Sequence, residues 1–299
     1  LEYMNNTEET PNNWTKDNVL TGEIMKAINS TEEKDFVYTI TVQSHGSYPA
    51  EPVFENPEIT LTGMDGRDDY YSFEYFVNQL HEVDKFIGDL TNTLSQIDED
   101  TVVVFFGDHL PTLGFKNEDL VNNDIFQTEY IIWSNFDMPK VDKDIEAYQL
   151  TSYVMDKLGM DNGVLTKFHQ NFSDSENYQA DLKLLQYDML YGERYIFDGQ
   201  NPYVATKLQM GIDPIIITDA YNEDGSLIIK GEHFTKSSVV VINKEKQETT
   251  FIDENTLKVE NKTLEEKDKI VIRQYTSGGG RLSSTESLIY GVESETDTN

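Results

Sequence analysis

The chain has 299 residues, of which 37% are hydrophobic and 11% aromatic, so one or two folded domains are expected rather than a disordered chain. Its 55 acidic and 23 basic residues leave a formal net charge of -32. That charge excludes sequence-independent binding to nucleic acid, which needs basic residues at the phosphates, and the lack of cysteine excludes disulfides and thiolate chemistry.

The negative charge would also repel a phosphate or sulfate ester substrate, so a site for one needs local positive charge, most simply a bound metal ion. No run of residues reaches the roughly 18 consecutive apolar positions of a membrane span. The opening stretch LEYMNNTEETPNNW lacks the basic start and apolar middle of a signal peptide. If the parent protein is exported or anchored, we expect the signal upstream of residue 1.

The first half of the chain predicts alternating helices and strands. A helix over residues 16–29 precedes the apolar run FVYTITV at residues 36–42, which is typical of a strand buried on both faces. Apolar residues then recur at three- and four-residue steps from Phe73 to Ile97, as in an amphipathic helix, and residues 101–106 form a second apolar run. This order predicts a βαβ unit with parallel strands and a right-handed crossover.

A polar turn follows each of these two predicted strands. His45 comes after the first, and Asp108 and His109 come after the second. Because the crossover brings the ends of both strands to the same edge of the sheet, we expect the three side chains to meet there.

Further along, we predict a strand at residues 128–133 and helices at residues 147–158 and 182–190. From about residue 214 short alternating segments such as SLIIKG and KIVIRQY predict a small all-β sandwich. We place the domains at residues 1–200 and 213–291, followed by an acidic tail at residues 292–299.

Asp108 and His109 offer a carboxylate and an imidazole, both of which bind divalent ions. A catalytic ion usually needs at least three protein ligands, so the alternative for this pair is a turn with a capping carboxylate. His45 could bind the ion, donate to a substrate oxyanion or carry a proton, or it could be a turn histidine without a role. For Trp14 and Lys16 we expect packing and a solvated charge.

The stretches FVYTITVQSHGSYP, YFVNQLHEVDKFIGDL and TVVVFFGDHLPTLG, in this order and spacing, resemble the sulfatase-like branch of the alkaline-phosphatase superfamily. Within it they are most similar to the lipoteichoic acid synthase and phosphoglycerol transferase group. The resemblance covers about residues 1–195. It implies an α/β fold, the C-terminal portion of an alkaline-phosphatase-like α/β/α domain. The small all-β sandwich that follows resembles bacterial immunoglobulin-like domains in strand rhythm and length.

The resemblance also implies one divalent ion, Mn or Mg, held by Asp108 and His109, with His45 directed at the phosphate or sulfate oxygens. The family completes the site with an acidic ligand on its first strand and a Thr or Ser nucleophile at a helix start. Thr7, Thr10 and Thr15 lie in polar, turn-like sequence and are not nominated as the nucleophile. We therefore expect either a fragment of a longer enzyme, with the nucleophile and the third ligand upstream of this chain, or a degenerate relative of the family. As it stands the chain should bind metal weakly and turn over little or nothing.

The implied function is a metal-dependent phosphoglycerol transferase or sulfatase-like hydrolase at the extracellular cell surface. Its partner would be an anionic phosphate or sulfate ester, with a glycolipid or cell-wall polymer as acceptor and a parent protein anchored in the membrane. The alternative is a non-catalytic surface module whose sandwich binds wall glycan or protein. Few aromatic residues occur in the sandwich, which favours a spacer or docking role there: Tyr221, Phe234, Phe251, Tyr275 and Tyr290.

Overall fold

A computed structural model describes residues 4–5, 7–64, 66–204, 213–276 and 278–292. Contacts divide the chain into two compact units. The first unit comprises the described residues of Leu1–Gln96, His109–Gln127 and Leu208–Asn299, and the second those of Ile97–Asp108 and Thr128–Lys207. The domain limits given above stay a prediction, and the acidic tail beyond residue 292 lies outside the described residues.

Two predicted helices are confirmed in the first unit. Helix α1 spans Leu20–Ile28, directly after a 3-10 turn at Asp17–Val19, and helix α2 spans Tyr70–Leu94. Of the predicted apolar stripe, Leu90 and Leu94 are buried, whereas Leu80 is 48% exposed; Tyr75 and Phe86, which were not part of that stripe, are buried as well. No helix in the described part of the chain has the length and apolarity that crossing a bilayer requires.

Residues 36–42 form no strand in the structure, so the prediction of a buried strand there was wrong. Phe36, Tyr38 and Ile40 are 83%, 64% and 72% exposed. An apolar run becomes a strand buried on both faces only when neighbouring strands pair with its backbone and further layers cover its side chains. Among the described residues, no strand pairs with this stretch.

The predicted parallel βαβ unit was wrong as well. Strand β1 spans Val102–Phe106 and strand β2 spans Tyr130–Ser134, and the two form an antiparallel pair. Both strands lie close to where the sequence predicted them. Every strand pair that the structure describes is antiparallel, so no crossover unit forms in this part of the chain.

The second unit also contains three helices among its described residues: α3 at Leu150–Lys157, α4 at Val164–Phe172 and α5 at Tyr178–Leu190. Helices α3 and α5 agree with the predicted helices. Helix α4 was not predicted.

The residues after 213 form the small all-β domain expected from the sequence. Its described strands are β3 (Ile216–Glu223), β4 (Ser226–Glu232), β5 (Ser238–Ile242), β6 (Glu245–Lys246), β7 (Thr250–Asp253), β8 (Thr256–Val259), β9 (Lys269–Tyr275), β10 (Arg281–Ser284) and β11 (Leu288–Ile289). One sheet has the order β3-β4-β8-β7; the other has the order β10-β9-β5-β6, with β11 also paired to β9. Both sheets contribute fully buried side chains to one core, including Ile229, Leu257 and Ile270.

Candidate functional site

His45 lies in a turn that its own backbone and one tyrosine hold in place. The His45 N–H donates to the Val42 carbonyl oxygen at 3.0 Å, and the Tyr48 hydroxyl donates to the Ser44 carbonyl oxygen at 3.1 Å. Both bonds restrict the backbone of the turn that carries the imidazole.

The turn lies close to the segment that begins at His109. A Cβ atom on Gly46 would be 2.9 Å from Thr112 Oγ1, so a side chain at this position would force Thr112 or the turn to move. The ring centroids of His45 and His109 are 6.1 Å apart, with an angle of 77° between the ring planes. The structure thus brings two of the three predicted site residues together, although the strand pairing from which this was predicted was wrong.

Both imidazoles have a defined tautomer. His45 Nδ1 is 2.6 Å from the Gly46 carbonyl oxygen, and His109 Nδ1 is 2.8 Å from the Leu110 carbonyl oxygen. A carbonyl oxygen only accepts hydrogen bonds, so each Nδ1 carries a hydrogen. In the neutral rings the lone pair is then on Nε2, which is the atom able to bind a metal ion or accept a proton.

Trp14 places an indole ring beside this pair. Its ring centroid is 5.0 Å from that of His45, at an angle of 68°. The backbone N–H of Trp14 donates to Thr10 Oγ1 at 3.1 Å, and the same oxygen accepts from the hydroxyl of buried Tyr75 at 3.0 Å. The segment before α1 is therefore held against α2. From the sequence we expected only packing for Trp14, because a single aromatic residue before a helix gives no sign of such a contact.

A buried polar cluster of Asp17, Gln43 and Gln79 lies behind the turn, and all three side chains are at most 2% exposed. Gln43 Oε1 accepts from the Asp17 N–H at 2.7 Å, while Gln43 Nε2 donates to Gln79 Oε1 at 3.0 Å and to a carboxylate oxygen of Glu82. Gln43 therefore ties the turn, two residues before His45, to the start of the first helix and to α2. No pattern in the sequence indicates this cluster.

The Asp17 carboxylate is only partly satisfied by hydrogen bonds. Oδ1 accepts from the Val42 N–H at 3.4 Å, whereas Oδ2 is buried without a hydrogen-bond partner among the described residues. Burial raises the pKa of Asp17 to about 6, although hydrogen bonds from the backbone of Val42 and Gln43 act to lower it. The carboxyl group is therefore largely protonated in mildly acidic solution and ionised above pH 6.

Asp108 and His109 follow β1 in the chain, and both side chains are exposed. Among the described residues, no group of three or more histidine, aspartate or glutamate side chains could hold a metal ion. The described residues thus do not form a complete metal site. The roles predicted for Asp108, His109 and His45 stay predictions.

Residues 1–160, more than half of the chain, match the family model described as Sulfatase. The chain belongs to the sulfatase family. This confirms the resemblance read from the residues around His45, along α2 and around Asp108. Members of this superfamily generally use divalent metal ions.

Two relatives extend the comparison of this sulfatase-family chain. A protein of Rhizobium meliloti (strain 1021) named for cyclic beta-1,2-glucan modification is 24% identical over 224 residues, which cover 61% of this chain and 35% of that protein. The structure of Streptococcus pyogenes phosphoglycerol transferase GacH in complex with sn-glycerol-1-phosphate is 24% identical, with a TM-score of 0.52 over 64% of this chain and 53% of that one.

The structural match confirms the predicted fold class. The chain spans about a third of the length of the curated relative and about half of the solved one. What those proteins do as wholes therefore bears on this chain only as a proposal.

Proposed function

We propose that this chain is part of a transferase that moves a phosphoglycerol group onto a glycan, glycolipid or wall polymer at the cell surface. The observation that carries the proposal is that three rings lie close together. The ring centroid of His45 is 6.1 Å from that of His109 and 5.0 Å from that of Trp14. One solved relative is a phosphoglycerol transferase with sn-glycerol-1-phosphate bound, and one curated relative is named for glucan modification. These names support a phosphoglycerol donor and a carbohydrate acceptor.

In this proposal His45 contacts the phosphate oxygens, and the Trp14 indole packs against the glycerol carbons. With a net charge of -32, the chain as a whole opposes an anionic donor, so local hydrogen-bond donors and cations must attract it. A protonated His45 supplies both a positive charge and a second N–H at Nε2.

Asp108 and His109 are proposed as two ligands of a divalent ion, Mn or Mg, with the other ligand and the nucleophile on chain outside these 299 residues. When bound, such an ion neutralises charge on the ester and lowers the pKa of the nucleophile. These 299 residues alone should therefore bind the donor weakly and turn over little. In the longer protein, Asp108→Asn or His109→Ala should abolish metal-dependent turnover.

The direct test is titration of the chain with sn-glycerol-1-phosphate, followed by NMR of the histidine and tryptophan ring signals. We expect saturable shifts, and we expect His45→Ala to weaken binding about tenfold or more, since a hydrogen bond to a charged group contributes about 1.5–3 kcal/mol. His81→Ala is the matched control, because His81 on α2 is bonded to Glu58 at 3.0 Å. Equal affinity of the His45 variant and the wild type would contradict the proposal.

Sulfate-ester hydrolysis is a second candidate, favoured by the family model itself. Inorganic sulfate and sn-glycerol-1-phosphate would then compete for the same site and shift the same histidine and tryptophan ring signals, with sulfate binding at least as tightly. A clear preference for the phosphoglycerol compound would favour transfer.

The non-catalytic alternative places glycan binding in the sandwich. Phe234 is fully buried there, and the other four sandwich aromatics are half-buried. The exposed aromatic platform that such binding needs is therefore absent from the described residues of the sandwich.

A further inference from the structure

Helices α4 and α5 and the turn after α5 line a groove with a volume of about 830 Å³. That volume lies within the roughly 300–1,000 Å³ of small-ligand sites. Five aromatic residues line it, and we call it the aromatic groove: Phe168, Phe172, Tyr187, Tyr191 and Tyr195. The last three are 61%, 79% and 78% exposed. Large rings left in solvent around a concave surface are typical of a binding site.

The floor of the aromatic groove is fixed by buried contacts. The Phe168 ring stacks between Phe172, at 5.5 Å, and Tyr178, at 5.6 Å. The buried Tyr178 hydroxyl lies 2.7 Å from His169 Nδ1 and accepts from Gln149 Nε2 at 3.0 Å. Burial lowers the pKa of His169, so its neutral imidazole can accept the tyrosine proton at Nδ1. The stacked rings are therefore held by the protein itself.

The rim of the groove is also preorganised. The two carboxylate oxygens of Asp188 accept from the N–H groups of Tyr195 and Ile196, both at 3.1 Å. These bonds fix the turn that carries Tyr195. The rings of Tyr187 and Tyr191 lie 6.2 Å apart at the end of α5. A ligand would meet a turn whose backbone is already held, which lowers the ordering cost of binding.

The charges of the groove select against anions. Asp181 and Glu193 belong to its lining, and Lys167 is the one basic lining residue, with its Nζ 3.8 Å from Asp161. With three carboxylates against one lysine in an otherwise largely apolar lining, on a chain of charge -32, the groove repels phosphates, sulfates and acidic lipid headgroups. Carboxylates and tyrosine hydroxyls, in contrast, accept hydrogen bonds from neutral hydroxyl groups.

We propose that the aromatic groove binds a neutral oligosaccharide, whose sugar rings stack on Tyr187, Tyr191 and Tyr195 and whose hydroxyls donate to Asp181 and Glu193. Sugar rings present C–H groups that are attracted to the negative faces of aromatic rings, and they carry the hydroxyl donors that the acidic rim requires. This site goes beyond the proposed transfer, because binding needs neither a metal ion nor a nucleophile. It places carbohydrate recognition on α4 and α5 rather than on the sandwich.

The test is calorimetric titration of the 299-residue chain with cellohexaose, laminarihexaose and a β-1,2-linked glucohexaose. We expect saturable binding of at least one of them that is insensitive to salt. Tyr191→Ala should weaken it about threefold to tenfold, while Tyr191→Phe retains most of the affinity because the ring remains. Tyr203→Ala is the matched control, since Tyr203 is 73% exposed and lies outside the lining.

Circular dichroism would establish that each variant is folded, and Asp181→Asn provides a second variant that keeps every ring and should also weaken binding. Three outcomes would overturn the proposal: no saturable binding of any of the three sugars, unchanged affinity in both Tyr191→Ala and Asp181→Asn, or binding to phosphatidylcholine vesicles that Tyr191→Ala abolishes while no sugar binds. None of these titrations contains glycerol phosphate, so a negative result with the sugars would not count against the proposed phosphoglycerol transfer, which has a separate test.

Discussion

Replacing Asp17 by Asn removes a buried charge while keeping the shape of the side chain. Asp17 is 2% exposed, its Oδ2 has no hydrogen-bond partner among the described residues, and its pKa is raised from 3.8 to about 6 by burial. Because the pKa is higher in the folded chain than in the unfolded one, folding takes up a proton between these two values. The free energy of unfolding of the wild type should therefore fall as the pH rises through this window. The variant has no carboxyl group at this position, so its free energy of unfolding should not show this fall.

The magnitude follows from the size of the pKa shift. A rise from 3.8 to about 6 corresponds to roughly 3 kcal/mol at 1.36 kcal/mol per unit. The stability of Asp17→Asn relative to the wild type should thus rise by up to about 3 kcal/mol from pH 4 to pH 7 and then level off. The new amide N–H₂ lacks an acceptor and costs about 1–3 kcal/mol at every pH, so the prediction concerns the slope and not the absolute stability.

The assay is urea unfolding of both proteins from pH 4 to pH 8, followed by circular dichroism. Asp89→Asn, at an exposed carboxylate on α2, is the matched control and should give a curve parallel to the wild type. The reasoning from burial is refuted by either of two results between pH 4 and pH 7. One is that the free energies of unfolding of the wild type and Asp17→Asn change in parallel; the other is that the wild type becomes more stable relative to the variant as the pH rises.

Three further substitutions test other parts of the chain. Gly231→Ala should lower the free energy of unfolding, measured by chemical denaturation, by about 3 kcal/mol or more, because its Cβ would lie 2.0 Å from a backbone oxygen. Gly278→Ala is the control and should change that free energy little, because no atom lies nearer than 3.8 Å to its Cβ. The exposed apolar side chains of residues 36–42 should make the chain self-associate, as measured by sedimentation, and Ile40→Lys should reduce this association by placing a charge among them. Equal association of the variant and the wild type would show that this stretch is not the contact. Gln43→Leu leaves buried polar groups unpaired, so it should cost about 2–4 kcal/mol in urea unfolding and broaden the His45 ring signals, while sharp, unshifted signals would count against its positioning role.

Local patterns were enough to predict most helices and strands. Helices α1 and α2 and the alternating strands after residue 213 carry their periodicity within one segment, so no distant residue is needed to recognise them. Helix α4 was missed although Val164, Phe168 and Phe172 recur at four-residue steps, because a helix of nine residues offers only three positions of the repeat.

Pairing between distant segments was not predictable in the same way. The run at residues 36–42 has the composition of a buried strand, yet burial depends on neighbours that composition does not specify. The same limit explains why β1 was given a parallel partner, whereas the structure pairs it with β2 in the antiparallel sense.

The site was predicted in part. His45, Asp108 and His109 stood out because each follows an apolar run, and the structure brings the rings of His45 and His109 together. Asp17 and Gln43 gave no signal, since a single polar residue reveals burial only once α2 covers it.

The order in which the chain is synthesised has a consequence for its assembly. Residues 213–292 belong to the same compact unit as α1 and α2, with Asn5 donating to the Phe234 carbonyl oxygen at 3.0 Å and Lys26 paired with Asp213. About 200 residues separate the end of α2 from residue 292. At roughly 5–20 residues per second, a ribosome needs about 10–40 s to deliver them. The first segment must wait that long for its partner, so nascent chains should engage chaperones during translation and be cleaved by proteases more readily than the finished protein.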